Sequence, residues 1–84
     1  MKTNPIENRP SEFAYSRWRH GGWYVHGVRW PNGGCGCVSN NYPDRKWRIA
    51  CDPRPFEEQP TFRTRGEAAI AEWEFTEALK MVAM

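Results

Sequence analysis

From Trp23 to Trp30 the chain reads WYVHGVRW, aromatic and β-branched residues interrupted by His26 and Arg29, a mixture that favours a strand over a helix of so few residues. Pro31, Asn32, Gly33 and Gly34 follow as a hairpin turn, because Asn and Gly accept the positive φ that tight turns require. That turn implies a second strand, Cys35 to Asn40. A second turn, NYPDR from Asn41 to Arg45, implies a third strand from Lys46 to Cys51 with Trp47, Ile49 and Cys51 on one face. With the first turn at Asn32 and Gly33, Trp30 is expected opposite Cys35 and Val28 opposite Cys37, and a second turn near Pro43 brings Cys35 near Cys51. Pro53, Pro55 and Pro60 cannot donate to a ladder, so residues 52–63 are expected as a connecting loop.

Thr64, Arg65, Gly66 and Glu67 fit a capping box, in which the Thr hydroxyl accepts from the third helical amide and the Glu carboxylate reaches back to the cap amide. Beyond it Ala68, Ala71, Phe75, Ala78, Leu79 and Val82 recur at spacings of three and four, with Ile70 and Trp73 on the flank. This predicts a helix over 64–82 with its apolar stripe on the sheet, and Glu77 paired with Lys80. The fold class is α+β, a three-stranded antiparallel sheet (23–51) packed against one C-terminal α-helix. Ahead of the sheet, residues 1–12 carry two prolines and little apolar material and are expected as a flexible arm. Phe13 to His20 fits either one or two helical turns or an extended lead-in ended by Gly21 and Gly22.

Length bounds this to a single domain: 84 residues bury a thin core. No stretch is long and apolar enough to cross a bilayer, and Met1 to Pro10 lacks the apolar run of a signal peptide. The expected compartment is the cytoplasm, with reduced thiols and no membrane partner. Charge is unevenly spread. Residues 1–65 hold eleven bases against six acids, whereas Glu67, Glu72, Glu74 and Glu77 face only Lys80 in the remainder, for a net charge of +2. The isoelectric point near 8.6 falls short of the strongly basic range of dedicated nucleic-acid binders. Nine of the twelve bases are Arg, and five Trp, three Tyr and four Phe exceed what so small a core must bury, so some rings are expected beside Arg on the surface, the composition of binding hot spots.

Candidate chemistry is sparse. Cys35, Cys37 and Cys51 with His26 offer four zinc ligands in number, but cysteines two apart on a strand depart from the knuckle spacing of structural zinc sites, and small buried thiols are the better account. His20 and His26 lack an accompanying nucleophile motif, and no glycine pair precedes a helix in the manner of a phosphate loop. No cofactor and no enzymatic activity are expected.

The strand from Trp23 to Trp30, the PNGG turn, the strand KWRIAC and the helix start TFRTRGEAA together resemble the β-meander-plus-helix pattern of small phage- and prophage-encoded proteins. The same order also resembles the arm-type DNA-binding domains of phage integrases. The first resemblance implies a non-enzymatic interaction protein that binds and inhibits a host protein or nucleoprotein complex in the bacterial cytoplasm, in the manner of the anti-CRISPR proteins. The second implies a sheet that enters a DNA groove. For either surface the candidate residues are Trp23, Arg29, Trp30, Tyr42, Arg45, Lys46, Arg48 and Arg54, which flank turns or alternate outward on strands. If Arg29, Arg45, Lys46 and Arg48 each neutralise one phosphate, DNA binding weakens with a log–log salt slope of about −3.6, at roughly −0.9 per phosphate.

Overall fold

A computed structural model describes residues 12–83 of the chain. Strands β1 (Tyr15–Trp18), β2 (Gly22–Arg29), β3 (Cys35–Ser39) and β4 (Arg48–Ile49) form one antiparallel sheet in chain order, and a 3-10 turn, Phe56–Glu58, leads towards helix α1 (Arg65–Ala83). The α+β class and the C-terminal helix agree with the sequence pattern, but the sheet has four strands rather than three. The added strand comes from the segment with two readings, Phe13 to His20. Gly21 adopts φ 88° and donates its N–H to the Trp18 carbonyl at 3.1 Å, closing a three-residue hairpin loop of a type that needs a left-handed residue at that position. Of the expected N-terminal arm, residues 1–11 lie outside the described residues.

Strand β2 carries an irregularity that resets the register. Val25 pairs with Gly36, yet the next pair is Arg29 with Cys35. Gly27, at φ 92°, absorbs the surplus as a bulge. The expected pair Trp30–Cys35 becomes Arg29–Cys35 because the turn closes one residue tighter, with the Trp30 N–H donating to the Gly34 carbonyl at 2.8 Å, and the bulge beyond it replaces Val28–Cys37 by Tyr24–Cys37. The bulge also lets Val25 and Val28, three apart, both turn to the core, which a regular strand forbids.

The strand expected over Lys46 to Cys51 is shorter. Its ladder to β3 holds only Val38–Ile49 and Ser39–Arg48, while Trp47 exchanges backbone bonds with Phe62 at 3.1 and 2.8 Å. Phe62 lies past Pro60 and has a free donor, so the loop contributes the one bridge its prolines allow.

At the start of α1, Thr64 Oγ1 accepts the Glu67 amide at 3.1 Å as the capping box requires. The reciprocal half differs: Glu67 Oε1 accepts the Arg63 amide at 2.9 Å, one residue before the cap. The buried stripe is also rotated from the expected one. Ala68, Ala69, Glu72, Trp73 and Thr76 are buried, while Ala78 and Val82 are exposed. Two polar side chains lie on the face that packs against the sheet, so apolar periodicity alone misplaces it. Ala68 and Ala69 bring the helix close to Val25, Val28 and Val38, and Trp73 fills the remaining space, with Phe13, Tyr15, Trp23, Trp47 and Phe62 packed around. Closest approach is at Gly36, where a Cβ would lie 2.6 Å from Val28 Cβ and 2.9 Å from Glu72 Oε1.

Candidate binding surface

Register divides the sheet into two faces. Tyr15, Arg17, Trp23, Val25, Gly36, Val38 and Ile49 share the face towards α1, and Ser16, Trp18, Tyr24, Cys37, Ser39 and Arg48 share the outer face. The outer face is built differently on its two halves. Over β3 and β4, the Arg48 guanidinium lies 4.9 Å from the Tyr42 ring centroid and 4.5 Å from that of Phe56, and forks onto both Asp44 oxygens at 2.9 Å. The Arg48 hydrogen bonds, with the Lys46 amide, hold the Asp44 carboxyl well below the usual carboxylate range. The sheet is covered on this half: Arg48 is only 6% exposed, and the exposure falls on the ring outside it, Phe56, at 53%.

Over β1 and β2 nothing comparable covers the sheet among the described residues. Trp18 and Tyr24 are tilted with ring centroids 6.4 Å apart, His20 meets Trp18 edge-on at 4.9 Å, and His26 is hydrogen-bonded to Ser16 Oγ. Tyr24 is 38% exposed and no guanidinium caps it. The loops leaving this end of the sheet are tied together by Ser39 Oγ donating to the Gly21 carbonyl at 2.9 Å and Asn41 Nδ2 to the His20 carbonyl at 3.3 Å. Exposed Arg19, Arg45 and Lys46 sit on those loops, Arg19 next to Trp18 in the chain and Arg45 and Lys46 next to Asp44.

The candidate residues read from the sequence thus separate into groups. Arg45 and Lys46 are exposed at one end of β3. Arg29 is exposed at the other end, where its Nη1 donates to the Gly33 carbonyl at 3.0 Å. Tyr42 is half-buried against Arg48. Trp30 and Arg48 are both buried, Trp30 by stacking edge-on with Phe75 at 5.5 Å and Arg48, though on the outer face, by Tyr42, Phe56 and Asp44. Arg54 is committed to the fully buried Asp52 carboxylate, donating at 2.8 and 2.6 Å, and lies over Phe75 at 4.4 Å. Burial pushes the Asp52 carboxyl up, but the Arg54 hydrogen bonds outweigh it and leave the group below its ordinary value. Trp23 is half-buried on the helix face with two cations on its ring, Arg17 at 5.0 Å and Arg65 at 4.9 Å, and Arg65 also stacks on Tyr15 at 3.8 Å. Trp18, His20 and Tyr24 had no place in that set; the Gly21–Gly22 pair after an aromatic segment was the hairpin signal that locates them.

The cysteines surround Glu72. Its Oε2 accepts from Trp30 Nε1 at 2.8 Å, the Cys37 amide at 3.0 Å and Cys51 Sγ at 3.2 Å, while Oε1 is buried with no hydrogen-bond partner. Burial raises the carboxyl above its ordinary value, against the pull of these three donors. Burial and the nearby carboxylate push the Cys37 thiol up to about 11; Cys51, expected as a buried thiol, is exposed, but its sulfur lies against Glu72 and is raised as well, so both are weak nucleophiles at neutral pH. Cys35 and Cys51 do line one small cavity, as the turn geometry implied. The zinc set does not assemble: His26 turns to Ser16, Cys35 Sγ to the Val25 carbonyl and Cys51 to Glu72, and the described residues contain no cluster of ligands able to hold a metal ion.

No protein-family model, curated protein or solved structure matches the chain.

Proposed function

We propose that the chain is a small non-enzymatic interaction protein, of the kind its phage-type pattern suggests, that binds and inhibits a host protein or nucleoprotein complex in the manner of the anti-CRISPR proteins. The observation that carries this reading is the open half of the outer sheet face, where exposed His20 and Tyr24 flank half-buried Trp18 in one ring cluster, with Arg19 exposed in the adjoining hairpin loop. Exposed aromatic rings edged by arginine are what protein interfaces use as anchors, since rigid rings supply contact area at low entropic cost and guanidinium groups find carboxylates. The hydrogen bonds by which Glu72 joins the helix to Trp30 Nε1 and the Cys37 amide support a structural role for that cluster.

Affinity capture from bacterial lysate with tagged protein, with and without nuclease, tests this reading. A defined protein or complex retained after nuclease, and lost with Trp18→Ala plus Tyr24→Ala, is the expected result. Retention of only nuclease-sensitive material replaces it with the DNA-reading sheet, to which the exposed Arg29, Arg45 and Lys46 lend support. Arg48 is held by Asp44, so three phosphates rather than four would be neutralised, for a salt slope of about −2.7.

A further inference from the structure

Strand β1 forms one edge of the sheet, and its backbone polarity is fixed by a single bond. His26 donates its N–H to the Ala14 carbonyl at 2.9 Å, which makes Ala14 and His26 a hydrogen-bonded pair. Bonded and non-bonded pairs alternate along an antiparallel ladder, so Ser16 and Trp18 also face β2 with their N–H and C=O groups. Tyr15 and Arg17 then point theirs outward, and no strand pairs with them among the described residues. The opposite side of the sheet is treated differently, because the segment leading into β4 is bridged by Phe62.

A cavity of about 370 Å³ opens beside this edge. It is lined by β1, the residues just before it and the first turns of α1, with no contribution from β2. Phe13, Tyr15 and Ile70 give it apolar walls, and Arg65, stacked on Tyr15, gives it a cation. Arg17 is exposed on the same face and Arg19 follows in the hairpin loop, against a single acid at the rim, Glu12. Backbone groups aimed outward, a side-chain cavity beside them and a basic margin are the three parts of recognition by strand addition, in which main-chain bonds give affinity and alternate side chains give specificity.

We infer that the outer edge of β1 is a docking site for an extended acidic segment of a protein partner, which adds as a fifth strand beside Tyr15 and Arg17 and places an apolar side chain in the cavity between Phe13, Tyr15 and Ile70. The inference rests on the protein-binding reading above and names the chemistry of the partner. Charge decides between occupants. A second copy of this chain would bring two sets of Arg17 and Arg65 to one edge, a like-charge arrangement that disfavours pairing, whereas an Asp or Glu two residues from the apolar side chain shares its face and meets the guanidinium groups directly, because Arg17 and Arg65 lie on the cavity side of the sheet.

Amide hydrogen exchange followed by NMR on the full chain tests this, with the blocked octapeptide Thr-Val-Thr-Asp-Thr-Val-Thr-Asp, whose Val and Asp side chains share one face, as probe and its Val–Lys counterpart, with Lys for Asp, as control. At millimolar acidic peptide, the range of a contact made by a few hydrogen bonds, the Tyr15 and Arg17 amides are expected to slow about tenfold, with no slowing in the Val–Lys control. Arg17→Pro removes an outward donor without touching the ladder to β2, so it should abolish the effect at Tyr15, and Arg17→Ala should reduce it. Four results overturn the inference: no slowing, equal slowing by the basic peptide, amides already protected before peptide is added, or protection that grows with protein concentration alone. The last two assign the edge to the chain's own residues or to a second copy. A captured partner that depends on Trp18 and Tyr24 while these amides stay unchanged removes the edge proposal and leaves the protein-binding reading standing.

Discussion

The two halves of the outer sheet face use the same side chains and reach opposite ends. Over β3 and β4, Tyr42, Phe56 and Arg48 are packed into a stack; over β1 and β2, Trp18, His20 and Tyr24 lie open with arginines nearby. The difference is one carboxylate. Asp44 is four residues from Arg48 and takes two of its guanidinium N–H groups at 2.9 Å, so the charge is paired within the chain, Nε alone is buried without a partner, and the flat faces stack on rings. No acid plays this part for Arg19, Arg45 or Lys46 among the described residues. An arginine–aromatic cluster is structural where the chain supplies the carboxylate and available for binding where it does not.

The largest expected effect lies beneath the closed half. Glu72→Ala leaves the Trp30 indole N–H and the Cys37 amide buried without an acceptor and opens a void against Gly36, and should cost about 3 kcal/mol in denaturant unfolding. A loss below about 1 kcal/mol would mean that water or a neighbour replaces the carboxylate. Glu72→Gln keeps the shape and isolates the charge. Because the folded state holds the Glu72 proton more tightly than the unfolded chain, its stabilising contribution is complete below the unfolded value and is lost as pH rises through the raised folded value. Wild-type stability should therefore fall relative to Glu72→Gln as pH rises above the unfolded carboxylate value of about 4.3. Asp44 and Asp52 give the opposite limb, since their folded values are lowered: their contribution is present above an unfolded value of about 3.9 and lost as pH falls through the folded ones.

Next in size is the contrast itself. Arg48→Ala removes the aliphatic stem and guanidinium that fill the stack and is expected to cost about 2 kcal/mol, while Tyr24→Ala on the open half should cost ~0.5 kcal/mol and act on partner capture instead. Equal losses of stability would dissolve the distinction between the halves. Thr64→Ala comes third. It removes the acceptor of the Glu67 amide and should cost about 1 kcal/mol, and an unchanged midpoint would show that the Glu67 bond to the Arg63 amide holds the helix start alone.

These features differ in how far the sequence exposes them. The hairpin at Asn32–Gly34, the helix and its Thr64 cap follow from local turn and cap chemistry, and appear where the pattern puts them. The Gly27 bulge does not, because one isolated glycine in a strand pattern fits either a regular ladder or a bulge, and the difference shifts every later pair. The helix face was misread for a tertiary reason: Glu72 belongs inside only because Trp30 and Cys37, far away in the chain, supply donors for it. Arg48 has the same history, its outward position in the strand pattern being cancelled by Asp44 and two rings. A sequence shows which side chains can bind, but whether they are already bound to the chain itself is a property of the fold.

The smallest effect bears on that distinction at Arg45. Its φ of 59° makes it the one non-glycine residue with positive φ among the described residues, and its amide donates to the Tyr42 carbonyl at 2.9 Å to close the loop into β4. A left-handed arginine pays a steric penalty that glycine avoids, offset in part by the extra freedom glycine has when unfolded, so Arg45→Gly should raise stability by about 0.5 kcal/mol. The same substitution removes an exposed cation from the loop that Asn41 ties to the His20 carbonyl. Higher stability with weaker capture of the partner would place Arg45 in the interface, where a binding residue is retained against a small cost in folding. Higher stability with capture unchanged would confine the contact surface to the rings of Trp18 and Tyr24 and to the edge of β1.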